Sequence, residues 1–272
     1  MTTAVSIPGL RDWLRLVLMY RAPHPDSQRI LDVMDRMLDR PYKTSALIHG
    51  EPGTGKEGLA RALHQAMHGG TAPFVKMPTG GRDPNVLALH LFGTRERRGA
   101  IARAEGGTLF LDEVGTLPRE IQARLSPVIR GRYRRNDDEA PQPCNVIVMA
   151  ATDHSLPTLV RDGQFRHDLY YRLSRLELTL PALRERPSDV PRAALWALNR
   201  LLDEHGVGRP VSLEGEVDEN AVVLERGASD LLMAQPWHGN FRELDRFMER
   251  LYFLESDGER ITAANVNSLL RQ

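Results

Sequence analysis

Apolar residues follow two alternating spacings along the first two thirds of this chain. Short continuous apolar runs, typical of strands buried on both faces of a parallel sheet, cover residues 45–48, 73–77, 106–113, 146–153 and 176–180. Between them, apolar positions recur every three or four residues, as on one face of a helix, over residues 10–18, 30–38, 59–67, 86–92 and 117–129. Strands that alternate with helices predict an α/β fold with a parallel sheet flanked by helices. Pro127 should kink or end the last of these helices.

The pattern changes beyond Pro181, because helical spacing continues but no strong apolar strand follows. Helices are predicted over residues 190–202, 241–254 and 262–270. Between the first two, residues 211–225 carry apolar positions on both sides of Asp218-Glu219-Asn220, which indicates a hairpin insertion. We therefore predict an α/β domain over residues 1–186, which includes two N-terminal helices, and a small, mostly helical domain over residues 187–272.

Composition and charge narrow the class of protein. Hydrophobic residues make up 41% of the 272 residues and charged residues 26%, the profile of a globular protein, and Lys+Arg 36 balances Asp+Glu 36. The net charge of the chain is therefore zero, and its overall electrostatic field does not attract nucleic acid. Cys144 is the single cysteine, which excludes an internal disulfide and a cysteine-based metal site. Without a signal peptide or an apolar run long enough to cross a bilayer, we expect a cytoplasmic protein with no membrane contact.

A glycine-rich segment joins the first strand of the predicted sheet to a helix. It reads Gly50-Glu51-Pro52-Gly53-Thr54-Gly55-Lys56-Glu57. This order is typical of a phosphate-binding P-loop, in which glycines let backbone N–H groups surround an anion at a helix N-terminus. Lys56 would reach the outer phosphates, whereas Glu57 stands where Ser or Thr usually helps to hold magnesium. The alternative, a turn that binds nothing, is disfavoured because strand, spacing and helix agree.

Two carboxylates follow the third predicted strand. Asp112 and Glu113 stand at the carboxyl end of an apolar run, where a P-loop ATPase needs acidic groups. Asp112 would join the magnesium shell and Glu113 would polarise the attacking water. An acidic, solvated strand end is the alternative. The predicted ligands are therefore ATP and Mg²⁺.

A basic run with an aromatic residue inside it covers residues 130–135. Such a run is compatible with a nucleic-acid contact. The acidic residues Asp137, Asp138 and Glu139 follow at once and neutralise it, as in an ordinary solvated face. Both interpretations stay open at this point.

Together these motifs resemble the AAA+ ATPase domain of sigma-54 activators, the bacterial enhancer-binding proteins. The resemblance extends in order over nearly the whole chain. Besides the P-loop and the Asp112-Glu113 strand, the matching segments are Leu91-Phe92-Gly93, Ala150-Ala151-Thr152, Phe165-Arg166-His167-Asp168-Leu169-Tyr170-Tyr171-Arg172-Leu173, Leu183-Arg184-Glu185-Arg186 and Trp237-His238-Gly239-Asn240-Phe241-Arg242-Glu243-Leu244. In this family Glu57 is the usual residue after the lysine.

The resemblance implies further roles. Thr152 and Asp153 occupy the sensor I position, where the family normally has Thr-Asn. Arg166 and Arg172 match arginine fingers that reach the nucleotide of the next subunit, and Arg242 matches sensor II in the helical lid. An arginine fork pairs well with phosphate oxygens, which supports these assignments. The resemblance further implies a homo-oligomeric ring, by family a hexamer.

Two departures from the family concern its output. The family carries a Gly-Ala-Phe-Thr-Gly-Ala loop shortly after Leu-Phe-Gly, and that loop touches sigma-54. Here residues 94–101 run almost directly to Gly106, with no such hexapeptide. This short, arginine-rich segment is either a surface for an acidic client or a phosphate backbone, or a solvated connector. Pro78 replaces an asparagine that holds the catalytic glutamate inactive, and it has no side-chain donor.

We therefore predict a ring-forming AAA+ ATPase that couples ATP binding and hydrolysis to the remodelling of a partner. The resemblance implies transcription regulation, but the missing loop argues against direct remodelling of sigma-54 polymerase. Two alternatives remain. One is an ATPase that remodels another protein or acts on DNA. The other is a nucleotide-gated scaffold, in which ATP controls assembly and hydrolysis is a timer.

Overall fold

The computed structural model describes residues 24–39, 42–68, 71–215, 221–255 and 259–271. Its internal contacts divide it into two compact units. The α/β unit comprises residues 32–51 and 55–180, and the helical unit comprises residues 24–31, 52–54 and 181–271. The predicted helix over residues 10–18 lies outside the described residues, and the predicted boundary at residue 187 stays a prediction.

A parallel sheet forms the centre of the α/β unit. The strands of this unit are β1 Ala46–His49, β2 Phe74–Pro78, β3 Thr108–Asp112, β4 Arg132–Tyr133, β5 Gln142–Pro143, β6 Ile147–Thr152 and β7 Leu176–Thr179. The main sheet has the order β2-β3-β6-β1-β7 with every neighbouring pair parallel, whereas β4 and β5 form a separate antiparallel pair. This arrangement confirms the predicted fold class.

Helices connect these strands. They are α1 Pro25–Asp39, which both units share, α2 Lys56–His68, α3 Pro84–Phe92, α4 Ala100–Arg103, α5 Arg119–Val128, α6 Leu156–Arg161 and α7 His167–Leu173. Helix α5 ends one residue after Pro127, as predicted. Burial explains the continuous apolar runs, because the side chains of four successive residues of β3 and five of β6 are buried.

The helical unit has its own hydrophobic core. Two 3₁₀ turns, Leu183–Glu185 and Pro187–Asp189, precede its regular elements. These elements are α8 Val190–Glu204, β8 Val211–Leu213, β9 Val222–Leu224, α9 Arg226–Met233, α10 Asn240–Arg250, the π-helical turn Leu251–Glu255, β10 Arg260–Ile261 and α11 Ala263–Leu270. Among the helices that the structure describes, none combines the length and the apolar character needed to cross a bilayer.

The predicted hairpin in the helical unit is wrong. β8 and β9 pair in parallel, with Val211 opposite Val222 and Leu213 opposite Leu224, and β10 adds in parallel to the other edge of β9. The Glu214 N–H donates to Leu224 O at 3.0 Å, in line with that direction. Alternating apolar positions indicate that a segment is a strand, but they carry no information on the direction of its partner.

Candidate functional site

The P-loop follows β1 and leads into the first turn of α2, as its sequence predicts. Gly53 and Gly55 have φ angles of 80° and 98°, in the region that favours glycine. A Cβ on Gly53 would overlap the carbonyl oxygen of Gly239, so a side chain cannot be accommodated there. Helix α2 begins at Lys56, and the N–H groups at a helix N-terminus can bind an anion.

Lys56 places its ammonium group on the P-loop itself. Its Nζ donates to Gly50 O at 2.6 Å and to Glu51 O at 2.9 Å. The Gly50 N–H donates to Thr152 O at 3.2 Å, which ties the start of the loop to the end of β6. Lys56 thus donates to neutral carbonyls, acceptors with which phosphate oxygens can compete.

The carboxyl ends of β1, β6 and β3 lie side by side in the sheet. His49 pairs in register with Thr152, and Ala151 pairs with Asp112. Since neighbouring strands lie about 4.8 Å apart, the P-loop and Asp112 follow strands separated by roughly 10 Å. Such an edge is where open parallel sheets bind ligands. The structure therefore brings the two strongest sequence motifs together.

Asp112 and Glu57 share one cation, Lys76, which the sequence analysis did not identify as a site residue. Lys76 Nζ lies 2.6 Å from Glu57 Oε2 and 3.2 Å from Asp112 Oδ2. Partial burial lowers the pKa of Lys76, but hydrogen bonds and charges from these two carboxylates outweigh it and raise the pKa. Burial likewise raises the pKa of Glu57, but Lys76 and Arg61 lower it overall. Both groups are therefore charged at neutral pH.

Glu113 has a left-handed backbone, with φ 65° and ψ 45°. The buried Thr79 hydroxyl lies 2.8 Å from the carbonyl oxygens of both Asp112 and Glu113 and donates to them. A Cβ on Gly80 would overlap the Glu113 carboxylate, so this carboxylate packs directly on the Gly80 backbone. Pro78 pairs in register with Asp112 and offers no donor. Thr79 and Gly80 are thus neighbours of Glu113 that sequence motifs did not indicate.

The predicted sensor I residues end β6. Thr152 is fully buried, and its hydroxyl accepts a hydrogen bond from the His154 N–H at 3.0 Å. Asp153 Oδ1 lies 2.8 Å from His154 Nδ1. Both side chains therefore bind their own loop in this structure, and their role as sensors stays a prediction.

Of the two predicted arginine fingers, Arg166 directly precedes α7 and Arg172 lies in its last turn, and their surroundings differ. Arg166 Nε donates to Asp168 Oδ1 at 2.9 Å. Arg172 has a buried Nε without a hydrogen-bond partner among the described residues. Burial raises the pKa of Asp168, but hydrogen bonds from Ser126 and Arg166 lower it overall. Arg166 therefore holds an internal carboxylate, whereas Arg172 keeps one donor unused.

Gln122, a fully buried residue of α5, fixes the backbone around Arg166. Its Oε1 accepts from the Arg166 N–H at 2.7 Å, and its Nε2 donates to Gln164 O at 3.0 Å. These hydrogen bonds give the buried side-chain amide of Gln122 a donor and an acceptor partner, and they fix the backbone of residues 164–166 before α7. The sequence gives no local signal for this role, because the partners lie more than 40 positions apart.

In the helical unit, α10 begins beside the P-loop residues that belong to this unit. The buried Asn240, with φ 54°, donates from Nδ2 to Pro52 O at 3.0 Å and accepts from the Leu183 N–H at 2.7 Å. The Phe241 N–H donates to Gly53 O at 3.0 Å. Arg242 follows, and its Cγ lies near Gly53. A cleft of about 590 Å³ is lined by Pro52, Gly239, Arg242, Glu243, Arg246, Phe247 and Arg250.

These residues fit ATP with Mg²⁺. The Lys56 ammonium suits phosphate oxygens, and Asp112 would supply one oxygen ligand. Within the described ranges, no group of three or more His, Cys, Asp or Glu side chains could hold a metal by itself. Mg²⁺ is usually bound through one or two carboxylates together with substrate phosphates, which this donor set allows.

A tight turn follows α3. Gly93 and Arg98 form an isolated antiparallel bridge, and the Thr94 N–H donates to Arg97 O at 2.8 Å. The Arg95 N–H donates to the Asp137 carboxylate at 2.9 Å, and Arg95 Nε donates to Asp138 at 3.4 Å. The acidic residues Asp137 and Asp138 thus contact this turn and neutralise part of its charge.

Two family models match successive parts of the chain. Residues 22–179 match the sigma-54 interaction domain, and residues 184–272 match the AAA+ ATPase lid domain. The acetoin catabolism regulatory protein of Cupriavidus necator is 38% identical over 234 residues, which cover 82% of this chain and 32% of that protein. The Nif-specific regulatory protein of Azotobacter vinelandii is 34% identical over 244 residues, covering 86% and 44%.

Solved structures give the same result. NtrX from Brucella abortus, crystallised with ADP and with ATP, superposes with a TM-score of 0.76 at 28% identity and covers 94% of this chain. The chain spans about a third to about half of the length of these relatives. Because the first family model covers more than half of the chain, this protein belongs to the sigma-54 interaction domain family of AAA+ ATPases and carries the AAA+ lid domain behind it.

Proposed function

We propose that this chain binds ATP with Mg²⁺ on its P-loop and hydrolyses it within a homo-oligomeric ring. The observation that carries the proposal is the placement of Lys56 and the Asp112-Glu113 pair on one edge of the parallel sheet. Lys56 would bind the outer phosphates, and Asp112 would hold the metal. The metal, when bound, supplies charge neutralisation on the phosphate oxygens.

Glu113 would orient the attacking water and accept its proton. Its backbone is fixed by the Thr79 hydroxyl, and its carboxylate lies against Gly80, where no side chain intervenes. A positioned base of this kind typically contributes about 10²–10⁴ in rate. Since Pro78 has no donor, we expect Glu113 to lack the side-chain restraint that the family asparagine provides.

Arg166 and Arg172 would act on the nucleotide of the next subunit, in a ring of six by family resemblance. The Nε of Arg172 is buried without a hydrogen-bond partner among the described residues, so this side chain would have to turn outward, whereas Arg166 would have to exchange Asp168 for a phosphate. Arginine fingers supplied in trans contribute about 10³–10⁵ in rate in other nucleotidases. Activity should therefore depend on assembly.

The output we propose is remodelling of a partner other than sigma-54 polymerase. The turn from Gly93 to Arg98 is closed by its own backbone bonds and projects no apolar loop. Its exposed side chains are polar or charged. A nucleotide-gated scaffold remains the second candidate, which predicts ATP-dependent assembly with slow turnover.

Two measurements test this proposal together. ATP turnover per chain should rise with protein concentration as rings form, and an open-complex assay on a sigma-54 promoter should give no product with ATP. Turnover independent of concentration, by a protein that stays monomeric with ATP, would contradict the ring. Open-complex formation would contradict the proposed output. Assembly with ATP but negligible turnover would favour the scaffold.

A further inference from the structure

A row of alternating charges runs from α2 to the end of β3. Arg61 Nη2 lies 2.7 Å from Glu57 Oε1, Lys76 Nζ lies 2.6 Å from Glu57 Oε2, and Lys76 Nζ lies 3.2 Å from Asp112 Oδ2. The Arg61 guanidinium also covers the ring of Phe74 at 4.5 Å. Each carboxylate oxygen of Glu57 therefore has its own cation, and the second cation reaches the predicted metal ligand.

We propose that Lys76 is a positioning residue of the nucleotide site, which neutralises and orients Asp112 while no metal is bound. This inference rests on the proposed function. Lys76 places an ammonium group beside the carboxylate that would otherwise meet Mg²⁺, so the lysine and the metal compete for the same negative charge. The lysine thereby sets how strongly ATP binding depends on Mg²⁺.

The sheet explains why Lys76 reaches Asp112. β2 is the edge strand beside β3, and Lys76 pairs in register with Phe110. Side chains alternate along a strand, so Phe110 and Asp112 share a face with Lys76. The side chain of Lys76 is 34% exposed and that of Asp112 is 23% exposed. Solvent therefore reaches both side chains, and a metal ion can reach Asp112.

Glu57 binds the Lys76 ammonium in this arrangement. It occupies the position after the P-loop lysine, where Ser or Thr would ordinarily help to hold magnesium. Here its carboxylate is engaged by Arg61 and Lys76, and so it holds Lys76 near Asp112 instead of acting as a metal ligand. This gives the residue a physical role that the motif alone does not explain.

The expected consequence is a change in the coupling between metal and nucleotide. Without Lys76, the charge on Asp112 repels phosphates when Mg²⁺ is absent, and nothing competes with Mg²⁺ when it is present. Because these groups are partly exposed, we expect about a fivefold effect. A purely structural role would instead weaken binding equally in both conditions.

The test measures the affinity of the full chain for a fluorescent ATP analogue in EDTA and in Mg²⁺. The ratio of the two dissociation constants should rise about fivefold in Lys76→Met. It should stay near the original value in Lys76→Arg, which keeps the cation, and in Lys43→Met, which removes an exposed lysine elsewhere. In an Asp112→Asn background, Lys76→Met should have no further effect on the ratio.

The outcomes separate this inference from the proposed function. If the unmodified chain binds no ATP, the proposed function fails and this inference fails with it. If it binds ATP with a metal dependence that Lys76→Met leaves unchanged, only the role of Lys76 is wrong. The role is also wrong if Lys76→Arg behaves like Lys76→Met, or if Asp112→Asn does not remove the effect. Thermal unfolding shows whether each variant remains folded. If Lys76→Met does not fold, Lys76→Arg still tests whether the positive charge is what matters.

Discussion

The nucleotide edge of the sheet and the turn after α3 belong to the same α/β unit but hold their charges differently. At the nucleotide edge, the Lys56 ammonium donates to the carbonyl oxygens of Gly50 and Glu51. At the turn, Arg95 is bound through its backbone and its side chain by Asp137 and Asp138. In the first region, carbonyl oxygens hold Lys56, and phosphate oxygens can compete with them, whereas in the second region carboxylates neutralise Arg95.

The Asp138 carboxylate contacts several polar side chains of the second region. Its carboxylate lies 3.9 Å from Arg135 Nε and 3.4 Å from Arg95 Nε, and it accepts from Gln142 Nε2 at 2.9 Å. Arg124 links the same region by donating to Asn136 Oδ1 at 2.8 Å. A ligand would have to replace several of these bonds, so we expect ligands to bind at the nucleotide edge and not at the turn.

The largest effect should come from separating phosphate binding from water activation. Lys56→Ala removes the cation of the P-loop and should weaken ATP affinity about a hundredfold, since charge-assisted hydrogen bonds to phosphate are lost. Glu113→Gln keeps the shape of the side chain but not the base, so binding should persist while turnover falls about ten-thousandfold. Calorimetric titration and phosphate release measure the two quantities.

Arg161→Ala is the matched control, because Arg161 is an exposed arginine of the same unit that pairs with its neighbour Asp162. It should leave both quantities unchanged. Full turnover by Glu113→Gln would show that another group activates the water. In that case the packing of Glu113 against Gly80 would have no catalytic meaning.

The next largest effect concerns the two predicted arginine fingers. Arg166→Ala and Arg172→Ala should each reduce turnover about a thousandfold with little change in ATP affinity, because each acts on the site of a neighbour. Asp168→Asn removes the internal partner of Arg166. If that ion pair restrains the finger, turnover in Asp168→Asn should rise severalfold.

Mixing variants tests the trans arrangement directly. Lys56→Ala and Arg172→Ala carry their defects on opposite sides of a subunit interface, so mixed rings should regain part of the turnover that each variant lacks alone. A mixture with no more activity than its components, at concentrations where the unmodified chain assembles, would place both residues in one subunit's site.

The sequence predicted the parts of the site that are contiguous along the chain. The P-loop and the Asp112-Glu113 strand end each combine a local motif with its own secondary structure, so spacing alone places them. The sequence did not predict the roles of Lys76 and Thr79, because these depend on the register of β2 against β3. It did not predict the role of Gln122, because this depends on how α5 packs against residues 164–166. The direction of β8 and β9 escaped for the same reason, since strand pairing is long-range information.

The smallest effect should come from the turn. Changing Arg95, Arg97 and Arg98 together to Ala removes three exposed arginines, one of which already pairs with two aspartates. Exposed ion pairs contribute about 0–1 kcal/mol each, so the free energy of unfolding should change by no more than about 1 kcal/mol. Affinity for DNA should change less than about twofold, because the carboxylates of Asp137 and Asp138 neutralise part of the charge of the turn.

The converse variant sharpens that expectation. Asp137→Asn with Asp138→Asn removes the neutralising charges and leaves the arginines of the turn and of the neighbouring basic run unopposed. Binding to DNA at low salt should then increase, and the increase should disappear as salt rises, because it arises from screened electrostatic attraction. A triple arginine variant that loses tenfold or more of its DNA affinity, measured by anisotropy at fixed salt, would overturn the comparison. It would show that the turn after α3 binds a phosphate backbone even while Asp137 and Asp138 are in place.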